Sequence, residues 1–90
     1  MEKKDLGNTI LIAKKPISAY ILATRNVMQK FPEIVLKARG KNISTAVNIA
    51  EIVKRDGLKI KKIETSTEKF VPKEGGNELS VSAIEILLIK

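Results

Sequence analysis

The alternation of apolar and polar positions along the chain predicts six elements in the order β-α-β-α-β-β. A short apolar run predicts the first strand over about residues 9–13, and it closes on Lys14-Lys15-Pro16. Proline suits the first turn of a helix, where its missing N–H is not needed. A helix is therefore expected to open at Pro16, with Ile17, Tyr20, Ile21, Thr24, Val27 and Met28 on one face, and to end at Phe31-Pro32. Over residues 33–39, Ile34, Leu36 and Ala38 alternate with Val35, Lys37 and Arg39, which predicts a second strand buried low down and cationic at its upper end. Gly40 breaks it.

Asn42 reads as the N-cap of a second helix running to about Asp56, with Gly57 at the C′ position. Its expected core stripe is Ile43, Ala46, Val47, Ala50 and Val53. Ile49 and Ile52 fall outside that stripe, as Leu22 does on the first helix, so either the helices are deeply buried or these residues form a subunit interface. Residues 58–70 predict a third strand and 78–89 a fourth, joined as a long hairpin through the turn-rich segment 71–77. Ile84 to Ile89 is apolar on nearly both faces, which suits an interior strand that also meets a partner through Leu87 and Ile89.

Handedness then constrains the topology. Right-handed crossovers moving one way across a sheet put both helices on the same face. The expected fold is an α/β two-layer sandwich with a mixed four-stranded sheet of order 1-2-4-3. Ninety residues make one small domain, 1–90, with a charged, flexible start over 1–7, and a domain this small benefits from a permanent partner subunit.

Charge narrows the partner. The formal net charge is +7, yet residues 1–63 hold fourteen Lys and Arg against five Asp and Glu, while residues 64–90 are net negative. Such asymmetry favours a polyanion. If the first two strands are parallel, Lys14, Lys15, Arg39 and Lys41 gather at one sheet edge with two helix N-termini, each carrying about +0.5 of an elementary charge. That edge is suited to phosphates. Lys37 flanks it, and no acidic residue is expected there.

Neither cysteine nor histidine is present, so disulfides, thiolate chemistry, zinc fingers and histidine catalysis are excluded, and no cofactor is expected. No run of about eighteen apolar residues occurs, and the reading is of a cytoplasmic, chromosome-associated protein. One tyrosine, two phenylalanines and no tryptophan leave no evident stacking platform for single-stranded bases, which favours duplex or backbone recognition. Tyr20, Phe31 and Phe70 read as packing residues. The competing class is an enzyme that uses the cationic edge for a phosphorylated substrate, but no phosphate-binding fingerprint or poised acid–base pair supports it.

Four segments together resemble the Alba family of archaeal chromatin proteins: Ile12-Ala13-Lys14-Lys15-Pro16 with Tyr20; Ile34-Val35-Leu36-Lys37-Ala38-Arg39-Gly40 with Ile43-Ser44 and Ala46-Val47; Glu51-Ile52-Val53; and Val81-Ser82-Ala83-Ile84-Glu85-Ile86. The resemblance implies a homodimer with the fold of the C-terminal domain of translation initiation factor three. It implies coating of double-stranded DNA in chromatin organisation, and binding of RNA. Lys14, Lys15 and Arg39 match the family's phosphate contacts, Lys14 matches a lysine whose acetylation is a proposed control, and the hairpin matches an arm that follows the minor groove.

The expected nucleic-acid-binding set is thus Lys14, Lys15, Lys37, Arg39, Lys41, Asn42 and, on the arm, Lys73; the expected dimer contacts are Leu22, Ile49, Ile52, Leu87 and Ile89. An RNA-binding subunit of a ribonucleoprotein is the alternative. Two departures stand out. The segment Lys54-Arg55-Asp56-Gly57-Leu58 is short and lacks the aromatic residue that joins dimers along DNA, and the hairpin sets Lys69 and Lys73 against Glu68, Glu74 and Glu78. The resemblance therefore does not carry cooperative coating to this chain.

Overall fold

The computed structural model describes residues 7–72 and 74–90. Its elements are β1 (Thr9–Leu11), α1 (Ile17–Met28), β2 (Glu33–Arg39), α2 (Ile43–Val53), β3 (Lys59–Phe70) and β4 (Leu79–Ile89). Short 3-10 turns at Gly40–Asn42 and Lys54–Asp56 flank α2. The sheet order is β1-β2-β4-β3, the order expected with the hairpin's last strand lying between the second and third. β1 runs parallel to β2, and β4 lies between β2 and β3, antiparallel to both.

One face of this sheet makes the core. Ile34, Leu36 and Ala38 of β2 and Ile84, Ile86 and Leu88 of β4 point to the helices and are buried, because alternate side chains of a strand share a face. Against them pack Tyr20 of α1 and Ala46, Ile49, Ala50 and Val53 of α2. Among the described residues the other face has no helix layer, and its aliphatic groups Val35, Leu87 and Ile89 are only partly buried. β3 is exposed or part-exposed throughout, consistent with its place at the sheet edge beyond the helices.

Local geometry departs from expectation in four places. β1 stops at Leu11, two residues early, although the Ile12 N–H still donates to the Lys37 carbonyl at 2.8 Å. Pro16 is the cap and not the first helical residue: its ψ of 149° is extended, and α1 then ends at Met28. Asn42 does not cap α2 with its side chain, because the preceding 3-10 turn already holds it in helical backbone geometry. The α2 stripe is also turned. Ile49 is fully buried in the core whereas Val47 is 40% exposed, so Ile49 has no surface to offer a partner.

Gly40 and Gly57 explain how the chain turns at the two ends of α2. Both have left-handed backbone, with φ of +56° and +96°, where a Cβ is strained. Gly57 is thus the helix stop that the sequence pattern places there. β3 also carries an irregularity: Ile60 faces Leu88 and Lys62 faces Leu87, leaving Lys61 as an extra residue.

Leu36 sits at the centre of β2 with no exposed surface. Leu36→Ala is expected to remove about 2–5 kcal/mol of stability, the usual range for a buried leucine. Urea unfolding followed by circular dichroism measures it, and a loss under half a kcal/mol would show that the core does not close on this residue.

Candidate nucleic-acid interface

Parallel pairing of β1 with β2 decides where the cations go. Leu11 lies beside Lys37, so the upper ends of both strands reach the same sheet edge. Lys14 and Lys15 follow β1 there in an exposed bend, and Arg39, Lys41 and Asn42 follow or end β2 at that edge. The N-termini of α1 and α2 also begin there, at Ile17 and Ile43. Neither helix has an acidic residue in its first turn, so neither positive dipole end is neutralised locally.

The lysine bend is held by a tyrosine. Tyr20 is buried in the core, and its hydroxyl oxygen accepts the backbone N–H of Ala13 at 2.8 Å and of Lys15 at 3.1 Å. One turn later the Thr24 hydroxyl donates to the Tyr20 carbonyl at 2.8 Å. The backbone under Lys14 is therefore tied to the core while the lysine side chains stay in solvent. Tyr20 is a packing residue with a second duty, one that only the return of the bend over α1 reveals.

The expected cations divide into two groups. Among the described residues, Lys14, Lys15 and Lys41 have no carboxylate partner. Arg39 and Lys37 do: Arg39 Nη1 lies 3.0 Å from Glu68 Oε1, and Lys37 Nζ lies 3.9 Å from Glu85 Oε2. The expectation of an acid-free edge is thus corrected. Glu85 is the direct cross-strand neighbour of Lys37, and Arg39 reaches past the small side chain of its neighbour Ala83 to Glu68 on β3. These residues line a shallow cleft of about 620 Å³ on the helix-free face of the sheet.

Other expected residues lie apart from this edge. Lys73 is outside the described residues. Away from the edge, Arg25, which is not among the expected site residues, is bound to Asp56 at 2.8 Å and joins α1 to the turn after α2. Phe70 is not a core residue: it is 47% exposed, paired across the hairpin with half-exposed Leu79. Leu22 is exposed and Ile52, Leu87 and Ile89 are part-buried, while Val47 and Ile63, absent from the sequence reading of an interface, are also exposed apolar groups.

Residues 8–69 match the Alba family model. The chain belongs to the Alba family. Among Alba relatives, the DNA/RNA-binding protein Alba of Nanoarchaeum equitans is 40% identical over 86 residues, spanning 90% of this chain and 96% of the relative. The DNA/RNA-binding protein Alba 1 of Archaeoglobus fulgidus is 40% identical over 90 residues, spanning 92% and 96%. Alba from Thermoplasma volcanium superposes with a TM-score of 0.81 at 37% identity, covering 92% of this chain and all of that one. The Alba match begins just before β1 and ends within the last residues of β3, so both cationic turns fall inside it.

Tyr20→Phe should leave the ring packed but strip two part-buried N–H groups of their acceptor, costing about 1–3 kcal/mol by the usual penalty for unmade bonds. Hydrogen exchange at Ala13 and Lys15 reads the effect directly. Unchanged protection at both amides would mean that the hydroxyl does not hold the bend.

Proposed function

We propose that the protein binds nucleic acid through the edge formed by Lys14, Lys15, Arg39 and Lys41, gripping phosphates on double-stranded DNA with little sequence preference and accepting RNA as well. The observation that carries this reading is the convergence of those cations at one sheet edge with two helix N-termini whose first turns hold no acid. Relatives named DNA/RNA-binding protein Alba support it, and the family is one of architectural nucleic-acid-binding proteins, not of enzymes. Chromatin organisation is the biological role that fits. Lys37 and Asn42 flank the edge, and their part in binding is secondary.

A homodimer completes the proposal. Val47 on α2 and Ile63 on β3 leave apolar surface exposed, and Leu22, Ile52, Leu87 and Ile89 add more around the molecule. Two subunits related by a two-fold axis would engage one duplex together, so that the second site binds at high effective concentration.

With Lys14, Lys15 and Arg39 from each subunit, about six phosphates are neutralised, and the log–log dependence of affinity on salt should have a slope near −5. Lys14→Gln, which mimics the uncharged acetylated side chain, should make the slope shallower by about two per dimer while leaving the melting temperature unchanged. Fluorescence anisotropy with an arbitrary duplex tests both, and a slope near zero in the wild type would end the phosphate mechanism. Competition by structured RNA at matched salt ranks the two ligands.

Val47→Asp combined with Ile63→Asp replaces solvent-facing groups and spares the core. Light scattering should report the mass of one subunit for this variant against two for the wild type. An undiminished mass would put the contact on another surface.

A further inference from the structure

We infer that Glu68 competes with nucleic acid for Arg39, so that one carboxylate on the β3 arm sets how readily the cationic edge takes a phosphate backbone. The inference rests on the phosphate-binding reading above. Arg39 ends β2 at that edge, beside the turn after β1 that holds Lys14 and Lys15, yet it is the only member of the rim whose charge is already bound to an acid among the described residues. Its guanidinium donates through Nη1 to Glu68 Oε1 at 3.0 Å, a charge-assisted hydrogen bond of ordinary length. A carboxylate oxygen and a phosphate oxygen ask the same thing of a guanidinium fork, so the two cannot fully share it.

The register makes the competition specific. Arg39 faces Ala83, and Ala83 faces Ser66, so no bulky group stands between Arg39 and the arm. Glu68, two residues beyond Ser66 on the same face of β3, is reached across the gap. Both side chains are well exposed, 68% for Arg39 and 49% for Glu68, so water and salt already weaken the pair. A polyanion held nearby by Lys14, Lys15 and Lys41 can therefore displace Glu68 without disturbing the core. A ligand too short to reach those lysines and Arg39 together gains nothing from breaking the pair. Glu68 thus favours extended backbones over single phosphates.

The test is a double-mutant cycle read by anisotropy on one duplex at fixed salt. Glu68→Gln should bind about two- to fivefold tighter than the wild type, the range that release of one exposed ion pair supports. In an Arg39→Ala background most of that gain should disappear. An equal gain in both backgrounds would show that Glu68 acts only through net charge, and no gain in either would show that the pair does not compete; both outcomes overturn the inference. Salt-sensitive binding by the wild type in those cases leaves the phosphate-binding reading standing, whereas a wild type with no salt-sensitive binding removes that reading itself. Circular dichroism on each variant verifies that the sheet is intact.

Discussion

Parallel pairing between two short strands is the constraint on which the rest of the molecule depends. Antiparallel neighbours could be joined by a tight turn, but β1 and β2 run the same way, so the chain must cross over through α1 and bring both strand ends to one edge. The next connection repeats the move with α2. Two cationic turns and two helix starts then share a rim that neither strand could build alone. Backbone bonds to β2 at both ends of β1, from Ile12 to the Lys37 carbonyl and from Val35 to the Asn8 carbonyl, fix the register of that rim to within a residue.

The burden of charge is divided between this rim and the helix-free face. On the face, cations are matched with acids across strands: Lys37 with Glu85, Arg39 with Glu68, and Lys61 with Glu33. Matched exposed pairs contribute little to stability. Their effect is to cancel field over the sheet, so that the rim lysines, which have no acid partner among the described residues, dominate what an approaching polyanion meets. An even excess of +7 over the surface would give no such direction.

Much of this architecture was legible before any coordinates. The alternation of Ile34, Leu36 and Ala38, the doubly apolar end of β4 and the turn-rich hairpin led to the observed strand order, because chirality leaves few ways to connect them. The positions of Lys14, Lys15, Arg39 and Lys41 at one edge followed from the same step. What escaped was set by relations between distant residues. Helical periodicity alone cannot say which flank of an apolar α2 faces the sheet, so Val47 and Ile49 were exchanged between surface and core. Glu68 and Glu85 come near the cations only through the β2–β4–β3 register, which no local pattern encodes. The Tyr20 hydroxyl finds its partners only once the bend folds back over α1.

The extra residue at Lys61 has a reach well beyond its own position. Side chains alternate along a strand, so a single insertion reverses which face every later residue occupies. With Lys61 bulged out, Ile60 and Ile63 both turn to the helix side, and Lys62, Glu64, Ser66, Glu68 and Phe70 all turn to the other. Straightening the strand by drawing Lys61 into the ladder as an ordinary residue would swing Glu68 behind the sheet, away from Arg39, and roll Ile63 out onto the charged face. The polarity of the whole arm is thus keyed by one misfit in its first turn of pleat.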